Sequence, residues 1–448
     1  MTSTAQSGND LNRYLFIATL LTLPYINFPY VSSGTLKPLA LIPLSLFLLL
    51  NPRLFFRKSF LLFLVFFILF VLYSTFLTAL IPEELLANKP LRHPYLGTVQ
   101  LAILGLFSYL AFYMGRFVLP SRFDTERFFR ILLLAYYPAL LFGFIHTIAI
   151  AAGTSNPLFV LRSLLASTNY PPTYYRNMML TVEPSFAAAD LAVILFPPAF
   201  YLFMKRKNLF SVLTLGLVIL NLFATKSGLG FAMLLASALF LGLSYVKSLK
   251  HLVVSITVLL ITLIAIANST YIKERFSRIV NQIQASDLLE ESTATRVVSY
   301  RVATRILSEV PCGTGYGNEG FFYPEYVPEK YLVLPLFKDW ADPDSGRFPD
   351  IKSTLLKLVA DFGIPGVLLV FFVLFFLFGT WKRVSSIPDR ELAVSVRLFL
   401  LNMSIMSFSI NLVGYIPIFL LLGYYLYLIQ QNRAVCAILH SRKTLEKS

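Results

Sequence analysis

"SFLLFLVFFILFVLYSTFLTALI", residues 59–81, contains no charged side chain. As a helix it is long enough to cross the roughly 30 Å of hydrocarbon in a bilayer. Arg53, Arg57 and Lys58 stand just before it, and the short connector "PEELLANKPLRHP" follows. A stretch of this kind reads as a transmembrane helix entered from the side that collects cations.

The rest of the chain extends that reading. Of its 448 residues 57% are hydrophobic and only 14% charged, with a mean hydropathy of +0.70, which excludes an ordinary soluble domain. Apolar runs fall at roughly 14–33, 37–51, 59–81, 97–119, 129–153, 184–204, 209–225, 228–246, 251–269, 355–380, 393–413 and 415–432. The expectation is an all-α polytopic membrane protein with about twelve transmembrane helices.

Basic residues test that count independently. They gather in every second connector: Arg53, Arg57 and Lys58; Arg116, Arg122, Arg127 and Arg130; Lys205, Arg206 and Lys207; Lys247 and Lys250; Lys382, Arg383 and Arg390; then Arg433, Arg442, Lys443 and Lys447. The alternation puts both termini in the cytoplasm. The formal charge of +15 is thus distributed by membrane side, and short clusters between apolar runs do not make the single basic face that nucleic acid requires. The polar start "MTSTAQSGNDLNR" is not a cleavable signal, so the run behind it is taken as the first span. Cys312 and Cys436 fall on opposite sides and cannot pair within one chain.

The opposite side carries the long connectors. Residues 1–269 hold nine spans, with a loop near 154–183; residues 270–354 form a large, partly helical loop; residues 355–448 hold three spans and a tail. Loops of these lengths exceed what mere connection needs, so an active site is expected to face outward. The large loop ends in an aromatic part, where Tyr323, Tyr326, Tyr331 and Trp340 would either line a sugar groove or form an interfacial belt.

Four stretches carry chemistry. In "RVVSYRVATRILSEVPCGTGYG", residues 296–317, Arg301 and Arg305 share a helix face and repel. Either Glu309 and the lipid headgroups compensate them, or a diphosphate does, to which the guanidinium fork is well matched. Gly313, Gly315 and Gly317 around Tyr316 can turn backbone N–H groups toward an anion, although taken alone they read first as a helix stop made by Pro311 and the glycines. In "YYRNMMLTVEPSFAAADLA", Arg176 precedes Glu183, which is either a carboxylate favoured by the helix dipole or a general base at the floor of a cavity. Asp190 lies two turns deeper, where an ionisable group is a functional or network residue by default. In "TKSGLGF", Lys226 occupies a very short turn, and in "DIKSTLLKLVADFGIPG" Lys352 leads the tenth span with Asp361 inside it. Five cations from four segments, Arg176, Lys226, Arg296, Arg301 and Lys352, thus fall on one membrane face.

In order and spacing these stretches resemble the O-antigen polymerase and ligase superfamily. Arg296 and Arg301, five apart, with Pro311 ten further on and "GTGYG" behind it, follow the family pattern; so do "TKSG", Gly363 and Gly366 of "LVADFGIPG", and "EPS" behind Arg176. The resemblance covers about residues 170–370. It implies a GT-C type membrane glycosyltransferase of the bacterial inner membrane that acts at the periplasmic face. Its substrates would be undecaprenyl-diphosphate-linked oligosaccharide and polysaccharide, with a chain-length regulator as a further partner and no metal or other cofactor. Arg176, Arg296, Arg301 and Glu183 would be catalytic; Lys226, Arg305, Lys352, Tyr316 and Asp190 would contact substrate. The ligases carry a histidine eleven residues before the first late glycine, and here that position is Lys352, which favours a polymerase. A ligase is the alternative within the family. From another class, a flippase would need polar groups near the bilayer midplane and no large outer loop.

Overall fold

The computed structural model describes residues 3–25, 38–120, 123–153, 176–181, 183–245, 291–345 and 347–445. The expected span at 251–269, most of the loop at 154–183 and residues 270–290 lie outside the described residues. Among those described the chain is helical, with no strand.

The helices are α1 (Ser3–Thr22), α2 (Pro38–Leu50), α3 (Lys58–Ala79), the short α4 (Glu83–Ala87), α5 (Leu96–Val118), α6 (Thr125–Ala151), α7 (Pro184–Arg206), α8 (Leu209–Ala224), α9 (Gly228–Tyr245), α10 (Glu291–Glu309), the short α11 (Pro335–Ala341), α12 (Thr354–Arg383), α13 (Arg390–Ser407) and α14 (Ile416–Leu445). Six of them, α3, α5, α6, α7, α9 and α12, are long and apolar enough to cross a membrane, and α2 and α8 are shorter apolar helices. The first span differs from expectation. Its helix begins in the polar segment at Ser3 and ends at Thr22, because Pro24 has no N–H for the ladder and restricts Leu23 before it.

Short polar side chains start several helices. Asp124, Asn208, Ser353 and Asp389 cap α6, α8, α12 and α13 by accepting the N–H three residues on, at 2.7, 2.9, 3.4 and 3.1 Å. The bundle is organised around α7, 94% of whose apolar window is buried, against 17% for α3 and for α12. Ala187, Ala188 and Ala189 let neighbouring helices approach it closely. Pro197 and Pro198 withdraw two N–H donors, and the turns before them, Asp190–Leu195, widen to a π-helix. One carbonyl this exposes is taken up by α13, where Asn402 Nδ2 donates to Ala192 O at 2.9 Å; Ser395 Oγ of the same helix donates to Pro197 O at 2.9 Å.

Between α9 and α12 a second apolar core forms. Ala294, Val298, Val302 and Ile306, at helical spacing on α10, pack against Phe321, Tyr323, Phe337, Trp340 and Ile351. Tyr323, Tyr326, Tyr331 and Trp340 are all buried there, and the Tyr323 and Trp340 rings meet edge to face at 5.3 Å. In a compact loop segment these rings are the main source of apolar area to bury, so Tyr323, Tyr331 and Trp340 form neither an open sugar groove nor an interfacial belt, while Tyr326 also borders a cleft. Residues 81–89 belong to this body, since Ile81, Leu85 and Leu86 join the same core and the buried Lys89 ammonium donates to the Asp342 carbonyl at 2.6 Å and to Ser345 Oγ at 3.0 Å.

Candidate functional site

Arg176 and the 225–228 turn form one corner of the bundle. The guanidinium donates from Nε to Thr225 O at 3.1 Å and from Nη2 to Lys226 O at 2.9 Å. The neighbouring Asn177 anchors this segment, with its N–H on Ala224 O and its side-chain amide on Asn221 Oδ1 at 2.7 Å and Gly143 O at 3.0 Å. Lys226 has φ +47°, the left-handed conformation that lets so short a turn reverse the chain. Two neutral carbonyls therefore fix the direction in which the fork points.

Seven residues on, Glu183 precedes α7 with an extended backbone. Its side chain makes no capping bond to the helix; Oε2 instead accepts from Ser185 Oγ at 3.1 Å, and Thr181 Oγ1 donates to its carbonyl at 2.8 Å. The carboxylate is half-buried, which leaves it reachable from outside the bundle. Asp190 is 1% exposed and accepts a hydrogen bond from the hydroxyl of Tyr415, the residue before α14. It sits inside the helix bundle, apart from any described cleft.

Arg296, Arg301 and Arg305 lie on the exposed side of α10, away from its apolar stripe. Arg305 and Glu309 make no ion pair with each other. Arg305 stacks over the Tyr326 ring, 5.5 Å from its centroid, and the Tyr326 hydroxyl donates to Glu309. Lys352 is exposed immediately before α12.

The glycine run is fully committed within the protein. Gly313 N–H donates to Val310 O, Thr314 to Ala360 O, Gly315 to Asp361 O, Tyr316 to Ser74 Oγ, Gly317 to Asp361 Oδ1 and Asn318 to Gly315 O, at 2.8 to 3.2 Å. None of these six donors is left for a phosphate. Instead the run docks against a break in α12, where Gly363 has φ +59° and a side chain would meet Pro311 O. Tyr316, 4% exposed, is wedged in that joint.

The same joint holds three charges that sequence reasoning missed, Lys357, Glu319 and Asp350, beside Asp361. Lys357, 4% exposed, binds Glu319, lies 2.7 Å from Asp350 Oδ1 and 3.7 Å from Asp361 Oδ2, and stands 4.9 Å from the centre of the Tyr316 ring. Burial pushes the Glu319 carboxyl above the usual carboxylate range, against the downward pull of Lys357. A lysine three residues into an apolar span, with a carboxylate one turn later, was the available signal.

A cleft of about 460 Å³ opens beside α10, between the end of α3 and residues 309–326. Its walls carry Glu84, Glu309, Glu325, Phe322, Tyr326 and the free Cys312, and no lysine or arginine. Carboxylates and rings suit sugar hydroxyls, whereas a diphosphate would be repelled.

Residues 212–371 match a family model described as O-antigen ligase. The match spans Lys226, the α10 arginines, Tyr316 and Lys352, while Arg176, Glu183 and Asp190 lie before it. No curated protein matches the chain.

Proposed function

We propose that this chain, which its match places in the O-antigen polymerase and ligase superfamily, is the polymerase of a surface polysaccharide. It moves a growing glycan from undecaprenyl diphosphate to a hydroxyl of one lipid-linked repeat unit, at the periplasmic face of the inner membrane. The family match supports a multi-pass membrane enzyme of polysaccharide assembly; Lys352 in place of the ligases' histidine favours the polymerase branch.

The observation that carries the reading is the Arg176 fork, fixed on two main-chain carbonyls next to Lys226 and seven residues from Glu183. As the glycosidic bond breaks, negative charge develops on the departing diphosphate, and cations already in place stabilise it without reorganising. Arg176, Arg296 and Arg301 take that role, with Lys226, Arg305 and Lys352 extending the positive face. Glu183 accepts the proton of the attacking hydroxyl, the geometry of a general base at the rim of a helix bundle. The acid-lined cleft suits the glycan, and Tyr316 acts from beneath by holding the joint. Asp190 supports the packing of α7 on α14.

Deleting the gene and complementing it with Arg301→Ala or Glu183→Gln tests the reading. A polymerase deficiency leaves surface glycan one repeat long; a ligase deficiency leaves none on lipid A; a flippase deficiency strands repeat units in the cytoplasm. Full-length glycan in both variant strains would sink the assignment.

A further inference from the structure

The joint between residues 311–351 and α12 contains an unbalanced set of charges. Lys357 supplies one ammonium, and Glu319, Asp350 and Asp361 supply three carboxyls around it. Each inner carboxyl has one oxygen with protein donors: Glu319 Oε1 accepts from Lys357 and from Ile351 N–H at 3.2 Å, and Asp361 Oδ1 from Gly317 N–H at 3.2 Å. Their other oxygens, Glu319 Oε2 and Asp361 Oδ2, are buried and accept no hydrogen bond. The two side chains, both fully buried, meet at the Lys357 ammonium, which binds Glu319 Oε1 and stands 3.7 Å from Asp361 Oδ2. Two ionised carboxylates only accept, so neither can satisfy its neighbour; one proton turns one of them into a donor.

We propose that Glu319 and Asp361 share a single proton, and that this proton latches the segment carrying Tyr316 and Glu319 onto α12. One proton brings the set to one ammonium against two negative charges. The remaining neighbours are favourable: Arg92 lies over the Phe348 ring at 4.6 Å and acts on Glu319 and Asp350, and Lys352 acts on Asp350. Tyr316 and Tyr323 complete the ionisable groups that face the pair.

The direction of the pH response follows. A buried carboxyl whose titration is raised on folding favours the folded joint while protonated. The latch is therefore complete at acid pH and is lost as the pH rises through the titration of Glu319, whose carboxyl burial raises. Because Lys352 and the base of α10 flank this joint, external pH would tune the seating of the cationic face. The latch itself does not depend on the proposed reaction.

The test uses the full-length protein in lipid nanodiscs, with infrared detection of protonated carboxyl and hydrogen exchange of residues 311–361, from about pH 5 to about pH 9. The wild type is expected to show a protonated-carboxyl band that disappears on raising the pH, together with at least a tenfold loss of amide protection at Gly317 and Ile351. Glu319→Gln supplies a permanent N–H to Asp361, so it removes the band and makes protection independent of pH. Asp361→Asn does the same from the other side, and serves if the first variant fails to fold. Three results would overturn the proposal: a band that survives in both variants, protection in the wild type that is flat with pH, or a tightly bound metal cation present in the wild type and absent from both.

Discussion

Two groups of cations in this protein are held in opposite ways. Lys357 is buried among carboxylates in the joint under Tyr316, so its charge is cancelled where it stands. Arg176 is held by the carbonyls of Thr225 and Lys226, and Arg301 projects from the exposed side of α10. A cation neutralised by the protein is part of the architecture; one that is exposed, as Arg301 is, is available to an anion from outside. This distinction separates structural from functional charge more sharply than residue type or depth does.

Substitutions test each half of that contrast. The largest effect is expected from Lys357→Met, which leaves buried carboxylates without their counter-ion at a cost of about 3–5 kcal/mol. A thermal-unfolding profile like the wild type's would show that the joint does not depend on its charge. Arg176→Ala should lower polymer formation by about 100-fold or more, a loss of roughly 3 kcal/mol in transition-state stabilisation. Arg176→Lys should recover little of it, because a single ammonium cannot span both carbonyls. Rescue by lysine, measured with lipid-linked repeat units in vitro, would mean that the fork geometry is irrelevant.

Arg301→Ala is expected to reduce turnover by about tenfold while leaving the unfolding temperature unchanged, since an exposed side chain contributes within about 0.5 kcal/mol of stability. A marked fall in stability would move Arg301 to the architectural side. The smallest change is that of Tyr326→Phe, which removes the hydrogen bond to Glu309 but keeps the ring under Arg305; about 1 kcal/mol of stability should be lost, visible as a modest shift in the unfolding curve.

Much of the bundle was legible in the sequence. Six spans, expected at 59–81, 97–119, 129–153, 184–204, 228–246 and 355–380, fall where apolar runs of sufficient length predict them, because a bilayer rewards length and apolarity directly. The end of α1 was misplaced, since hydropathy does not register how Pro24 stops the ladder. At the site, Arg176 and the "TKSG" turn were singled out separately, and their hydrogen bonds could not be read from a separation of 50 residues. Lys357 was passed over because it lies inside an otherwise apolar run, and its partners Glu319 and Asp350 come from a different segment.

The sequence by itself determined which segments suit a membrane, which connectors carry cations, and that Arg296 and Arg301 belong to a pattern. Those properties follow from composition and local spacing. Only the tertiary structure decided that the glycine run spends its N–H groups on Ala360, Asp361 and Ser74, that the loop's aromatic residues are core, and that Lys357 gathers Glu319, Asp350 and Asp361. Each of these depends on which distant groups arrive to accept, to cover or to repel, and a donor's partner is set by the fold around it rather than by its neighbours in the chain.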